Sequence, residues 1–322
     1  MKKTLWMTGL ILITILWVSC KKEEEKQTTN KNSHRIKEEI YHSSGTQYKT
    51  VYGYTNEKIS QTVNYRQDST NWLESGKSEY LYEDNKITET YYQYKNGNWT
   101  SAYQVISTFS NNNLIETQSL KFATDGWQPY YKQTFSYSEG KLVSEKYGEY
   151  TEGVWTPYSS VEIVYSGNRC TGYLGYSYSQ NVQGELTYKG DFIFSGNNIS
   201  ELIISLKNED STWRNDQKSV YEYSNNKLIS VKDYEWNSAL NEWKTEVWAS
   251  NLYVYNSDNY LSRHTYTLPA GGIDYSFDYI YEEGHGNGEA LLNSPDANVL
   301  GTPVIRKSVS DISSGLHPIH SH

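Results

Sequence analysis

The sequence is poor in residues on which several kinds of protein depend. It has 2 Cys, and because Cys20 and Cys170 lie far apart in the chain, no disulfide framework is expected. The 29 basic residues are outnumbered by 38 acidic ones, so no basic surface favours nucleic acid as a partner. There are only 6 Pro and 2 Met, against 32 Tyr and 10 Trp. This composition favours β-structure, since aromatic side chains suit a pleated, half-buried surface.

The chain begins with a short apolar segment at 5–18 that follows two lysines. The segment is too short for a stable membrane span and predicts a secretion signal over residues 1–19. The residues Trp17-Val18-Ser19-Cys20 then resemble the lipobox of bacterial lipoproteins, with Trp17 where that family usually has an aliphatic residue. The resemblance implies that Cys20 is lipidated and anchors the chain to a membrane. The alternative is an ordinary cleaved signal with an incidental cysteine.

A polar tether is predicted after the cysteine, over residues 20–40, because this stretch is too poor in apolar residues to fold alone. Its first part, Lys21-Lys22-Glu23-Glu24-Glu25-Lys26, resembles the export tag of surface lipoproteins in Bacteroidota-type bacteria. The resemblance implies an outer-membrane location facing the cell exterior. If the run is only a solvated part of the tether, the periplasmic face of that membrane is the alternative.

A repeat of roughly 28 residues covers most of the remaining chain. Each copy has an aromatic residue, here called the anchor, then three turn-forming or small polar residues, a Lys, Asn or Arg, and an aliphatic residue. Tyr82-Glu-Asp-Asn-Lys-Ile87 is an example. The anchors are Tyr54, Tyr82, Phe109, Tyr137, Tyr165, Phe194, Tyr223 and Tyr255, with a degraded ninth copy at Tyr281.

The centre of each copy predicts a tight β-hairpin, because Asn, Asp and Gly tolerate the backbone conformation of two-residue turns. Such a turn places the anchor opposite the aliphatic residue five positions later, as in Tyr137 and Leu142. Since side chains alternate between faces, residues at even offsets from the anchor are expected to share its face. That set includes a tryptophan ten positions earlier: Trp72, Trp99, Trp127, Trp155 and Trp213. Odd offsets carry charges and predict a wet face: Lys77, Lys132, Lys189, Lys218, Glu79, Glu162 and Asp191.

These patterns predict an all-β fold, an antiparallel meander of about eight two-stranded repeats over residues 41–285, followed by an irregular C-terminal cap or tail over 286–322. A sheet of about sixteen strands must curl or close into a shell or barrel; a propeller-like arrangement is the alternative. The frame Tyr-x-Tyr-x-x-x-Lys-Leu, seen from Tyr221 to Leu228, resembles the YD repeats of bacterial RHS proteins, which build spiralling β-shells. The resemblance implies a shared repeat architecture and carries no specific function.

No catalytic or metal-binding motif is present, so no enzyme activity, cofactor or metal is predicted. Aromatic residues are enriched in binding sites, because their rings stack on sugars and apolar ligands. Most of the rings are interpreted as core, and four that lie outside the regular rows are candidate ligand contacts: Tyr130, Tyr158, Trp236 and Trp248. The sequence therefore predicts a non-catalytic envelope protein that binds a glycan, a host protein or an envelope partner. A purely structural shell without a small ligand is the alternative.

Overall fold

The computed structural model describes residues 34–43, 45–179, 182–268 and 273–284, and every element in them is a β-strand. The signal segment, Cys20 and the tail over 286–322 lie outside the described residues. The strands are β1 (His34–Ser43), β2 (Thr46–Thr55), β3 (Lys58–Asp68), β4 (Asn71–Glu83), β5 (Lys86–Lys95), β6 (Asn98–Ser110), β7 (Asn113–Ala123), β8 (Gly126–Ser138), β9 (Lys141–Thr151), β10 (Val154–Ser166), β11 (Arg169–Ser179), β12 (Val182–Ser195), β13 (Asn198–Lys207), β14 (Trp213–Ser224), β15 (Lys227–Asn237), β16 (Glu242–Trp243), β17 (Ala249–Tyr255), β18 (Leu261–Thr267) and β19 (Ile273–Glu283).

The strands form an antiparallel meander that closes on itself. Each strand pairs with the next along the chain, and β15 pairs both with the two-residue strand β16 and with β17, which continues the sheet. The first strand, β1, pairs with both β2 and β19. The result is a closed β-barrel of 18 strands, which confirms the all-β meander and its closure and makes the propeller-like alternative wrong.

The predicted hairpin register is confirmed in the first seven copies, and in the eighth it is wrong. Tyr54 lies opposite Ile59, Tyr137 opposite Leu142 and Tyr223 opposite Leu228. The turns between them use left-handed residues, such as Asn225 and Asn226 with φ of 51° and 60°. Such two-residue turns match the natural twist of the flanking strands. In the eighth copy Tyr255 lies opposite Leu261, six positions later, because a longer turn closed by the hydrogen bond from Asn256 N to Tyr260 O replaces the two-residue turn.

Closure depends on a repeat whose two strands are the last and the first strand of the barrel, β19 and β1. Tyr281 of β19 lies opposite Ile36 of β1, as Tyr54 lies opposite Ile59 in the first copy. The Tyr281 hydroxyl donates to the Leu261 carbonyl at 2.8 Å, and the Tyr54 hydroxyl donates to the Ile36 carbonyl at 2.8 Å. The degraded ninth copy is therefore completed by the first strand, and nine hairpin units give the 18 strands.

This closure also moves a predicted boundary. The tether was predicted to run to residue 40, but β1 begins at His34. Ile36 is fully buried, in a cluster with Ile59 and Leu261. A strand with so few apolar residues is ordered because its backbone pairs on both sides and because Ile36 fills the aliphatic position of the ninth repeat.

The anchor face is the inner face of the barrel. The described chain forms a single layer, so a side chain as fully buried as Leu228 or Ile36 can lie only on the concave side. Near the tight turns this face forms a belt of aliphatic and aromatic side chains across β7 to β17. Part of the belt depends on glycine: a Cβ on Gly190 would run into the ring of Tyr173 on the neighbouring strand.

The predicted wet face is confirmed as the outer face. Lys77, Lys132 and Lys189 point to the face of the sheet that the anchors do not occupy. They form ion pairs with acidic residues on that face. The Lys77 Nζ atom lies 2.5 Å from Glu79 Oε1, and Lys189 Nζ lies 2.8 Å from Asp191 Oδ2.

The tryptophan row was predicted on the wrong face. Trp72 lies opposite Gln67 on the outer face, and Trp99 lies under Lys77, whose Nζ is 5.3 Å from the ring centroid. Trp155 is likewise covered by Lys132, at 4.6 Å. The cause is a β-bulge seven residues before the anchor, which adds one residue to the strand and reverses every side chain beyond it. The bulged residues are Ser75, Ala102, Tyr130, Tyr158, Thr187 and Asp216.

Candidate functional site

The candidate site is a group of tyrosines on the inner face, near the end of the barrel where the looser turns lie. It is built by the bulges of β8 and β10. In an unbroken strand Tyr130 and Tyr131 would point to opposite faces, but the bulge turns both inward. Tyr130 stacks edge-on against Tyr103 with ring centroids 6.3 Å apart, and Tyr131 lies opposite Ser119.

Tyr158 occupies the equivalent bulge on β10, two strands away from Tyr130. Its hydroxyl hydrogen-bonds the hydroxyl of Tyr131, which places its ring on the same inner wall. The side chain is 38% exposed. We call Tyr103, Tyr130, Tyr131 and Tyr158 the tyrosine wall.

Three exposed polar side chains stand above the tyrosine wall, and we call them the polar rim: Lys121, Gln128 and Glu149. Lys121 lies opposite both Tyr103 and Gln128, and Glu149 lies opposite Tyr131. Residues directly opposite each other share a face, so the rim faces the interior as the tyrosines do. The wall therefore offers ring faces with hydrogen-bonding groups beside them.

Beneath the tyrosine wall lies a buried carboxyl group. Glu145 is 1% exposed, accepts a hydrogen bond from the Tyr147 hydroxyl, and lies 3.5 Å from Gln133 Nε2. Burial raises the pKa of Glu145 to about 8, because removing a carboxylate from water disfavours its charged form. Its Oε1 atom and the hydroxyl of the nearby Tyr188 have no hydrogen-bond partner among the described residues. Buried polar atoms of this kind are usually satisfied by water or by a ligand.

Burial also raises the pKa values of the wall tyrosines Tyr130, Tyr131 and Tyr158 above the ordinary value. The hydroxyls therefore stay neutral at physiological pH and act as hydrogen-bond donors and acceptors. Nothing in the wall pairs a nucleophile with a general base, and the part of the chain that the structure describes has no group of three metal-ligating side chains. The arrangement is suited to binding.

Of the four predicted ligand-contact aromatics, Tyr130 and Tyr158 lie on the same inner face, on β8 and β10. Trp236 lies on the outer face, against Trp243 with ring centroids 4.9 Å apart. Trp248 precedes β17, and its backbone NH donates to the Asp233 carbonyl at 2.7 Å. Trp248 also stands seven residues before its anchor, Tyr255, which is the position of the bulged tyrosines.

Sequence reasoning missed Tyr103, Tyr131 and the polar rim. Tyr131 could have been placed on the inner face, since its offset from Tyr137 is even. The signal for the bulge was proline: Pro129 and Pro157 each precede a bulged tyrosine, and proline within a strand interior marks a bulge or an edge.

Comparisons with known proteins give no family. No family model matches the chain, and no curated protein matches it. Among solved structures, a porin-like protein from Bacteroides uniformis is 10% identical, with 77% of this chain and 98% of that one covered and a TM-score of 0.40. A porin-like protein from Bacteroides vulgatus is 10% identical, with 78% and 99% covered and a TM-score of 0.41.

A TcdB2-TccC3-Cdc42 structure is 11% identical, with 72% of this chain and 14% of that one covered and a TM-score of 0.27. At identities and scores this low, nothing about function follows from these likenesses. In the described ranges, no helix has the length and apolarity needed to cross a membrane.

Proposed function

We propose that this protein is a non-catalytic binding protein of the cell envelope, and that it holds its ligand on the tyrosine wall inside one end of the barrel. The observation that carries the proposal is the pair of bulged tyrosines, Tyr130 and Tyr158, which face the interior on neighbouring hairpins. Concave surfaces with aromatic rings and a few polar groups are the usual form of ligand sites.

Two further features support a location at the outer membrane. The first is the lipobox-like run Trp17-Val18-Ser19-Cys20, from which we infer that Cys20 carries the lipid and that residues 21–33 connect it to β1 of the barrel. The second is that the outer face carries ion pairs in mid-strand, including Lys232 with Glu222 at 2.7 Å and Arg263 with Asp278 at 2.6 Å. Charges on a lipid-facing wall are destabilising, so this face is suited to water and the lipid is the contact with the membrane. The tag-like run at Lys21–Lys26 favours the exterior of the outer membrane over its periplasmic face.

The binding proposal is tested with arrays of glycans and of purified proteins, probed with the wild-type protein and with a Tyr130→Ala/Tyr158→Ala double variant. The wild type is expected to bind members of one class, and the double variant to lose at least about tenfold in affinity, since buried aromatic contacts dominate binding energy. The matched control is Tyr94→Ala, which removes an exposed ring from the outer face. Equal binding by the wild type and the double variant would place the site elsewhere and overturn the proposal. Loss in the control as well would show that the effect is not specific to the wall.

A further inference from the structure

The repeat itself shows that the two bulged tyrosines are not required by the fold. Six hairpins make the same bulge seven residues before the anchor. Four of them use a small or polar residue there: Ser75, Ala102, Thr187 and Asp216. A ring at this position is therefore unnecessary for the bulge. Tyrosine occurs only at the two neighbouring hairpins of β8 and β10 among these six, and Tyr158 is too exposed to serve as core.

The spacing of the two strands limits what can contact both tyrosines. Tyr130 and Tyr158 lie on strands separated by one strand, β9, so their backbones are about 9 to 10 Å apart across the sheet, since adjacent strands are about 4.8 Å apart. That is about the length of two consecutive sugar rings in an extended chain. Rings at the first and third sugar would then stack on the two tyrosines, because sugar rings present apolar CH faces to aromatic rings.

Polar side chains lie beside and between the two tyrosines. Glu149 is on β9, between the two tyrosines, and its charge acts on Tyr158. Gln128 and Lys121 are beside Tyr130, toward the neighbouring hairpin. The rim has one acidic and one basic side chain, so its net charge favours neither an anionic nor a cationic ligand. Carboxylate, amide and ammonium groups together provide both donors and acceptors for hydroxyls.

We infer that the ligand of the tyrosine wall is a neutral, extended oligosaccharide of at least three sugars, whose first and third rings stack on Tyr130 and Tyr158. The inference rests on the proposed function, because it takes the wall to be the binding site. The middle sugar lies over β9, beside the hydrogen-bonded hydroxyls of Tyr131 and Tyr158 and near Glu149.

The test is calorimetric titration of the purified protein with neutral oligosaccharides of one to six units, in β-1,4-linked glucose, xylose, mannose and N-acetylglucosamine series. In one series the affinity is expected to rise at least tenfold from one to three units and to stay constant beyond four. Tyr158→Ala should lower the affinity for the trisaccharide about tenfold or more. Tyr158→Phe keeps the ring and should retain most of the affinity, and Tyr94→Ala should match the wild type.

The outcomes separate this inference from the proposed function. Equal affinity for one and three units, tighter binding of acidic oligosaccharides, or no binding in any series would overturn the inference. Array binding to a protein that is lost in the Tyr130→Ala/Tyr158→Ala variant, with no binding of any oligosaccharide, would keep the wall as a site and reject the sugar. Array binding unchanged in that variant would reject both. Gln128→Ala changes an exposed side chain and should weaken oligosaccharide binding without affecting folding. If Tyr158→Ala does not fold, the affinity of Gln128→Ala still tests the inference.

Discussion

Replacing Ile36 with alanine is expected to lower the free energy of unfolding by about 2 to 5 kcal/mol, the usual cost of truncating a fully buried isoleucine. Ile36 is 0% exposed and lies opposite Tyr281 in the repeat that closes the barrel. The measurement is urea unfolding followed by tryptophan fluorescence, with the midpoint and the slope both fitted.

The matched control for Ile36 is Ile280→Ala on the partner strand β19. Ile280 lies one residue before Tyr281, faces outward and is 41% exposed, so its truncation should cost less than about 0.5 kcal/mol. An effect of Ile36→Ala no larger than that of the control would mean that β1 does not close the barrel. The ninth repeat would then be open, and the residues before 41 would be a tether as the sequence alone suggested.

The stability of the protein is expected to fall as the pH rises from about 6.5 to 8, and Glu145→Gln should remove most of this fall. Burial raises the pKa of Glu145 from 4.5 to about 8, so in this range the folded state keeps a proton that the unfolded state releases. The stability that this proton contributes is fully present below the pKa of Glu145 in the unfolded state. It is lost as the pH rises through the pKa of Glu145 in the folded state. The expected loss over this interval is about 1.5 to 2 kcal/mol, at 1.36 kcal/mol per pKa unit.

His264 affects the pH dependence of stability in the opposite direction, and it does so below the pH range of 6.5 to 8 used for Glu145. Burial between aromatic rings lowers the pKa of His264 to about 4, so its contribution to stability is lost as the pH falls from 6.5 toward 4.

The control for Glu145→Gln is Glu149→Gln, which removes an exposed carboxyl on the same strand, β9, and should keep the wild-type slope of stability against pH. Equal slopes for the wild type and Glu145→Gln between pH 6.5 and 8 would contradict the assignment.

The repeat frame was enough to predict the hairpin register of the first seven copies. An aromatic residue, a turn of residues that tolerate positive φ and an aliphatic residue define a local unit, and the pairings of Tyr137 with Leu142 and of Tyr223 with Leu228 follow from it. The charged face was also predictable, because Lys77 and Lys132 lie between the anchor and the bulge, where the alternation is unbroken.

The tryptophans were misplaced for a reason that counting along the sequence could not reveal. An offset of ten residues is even, but a bulge at offset seven makes it odd in structural terms. Ser75, Ala102, Tyr130 and Tyr158 share no chemical property that marks a bulge, and the prolines mark only two of the six. Closure by Ile36 is also non-local, since a lone isoleucine in a polar segment gives no sign of a partner at Tyr281.

The measurement that tests the central claim most directly is photo-crosslinking on intact producing cells. The full-length protein carries p-benzoylphenylalanine in place of Tyr158 or, as the control, of Tyr94. The probe is the tightest-binding oligosaccharide from the titrations, joined to a carrier too large to cross the outer membrane. Adducts are expected at position 158 and not at position 94, which would show a ligand on the tyrosine wall of a surface-exposed protein. No adduct at position 158 in either intact or opened cells, or equal adducts at both positions, would contradict the account.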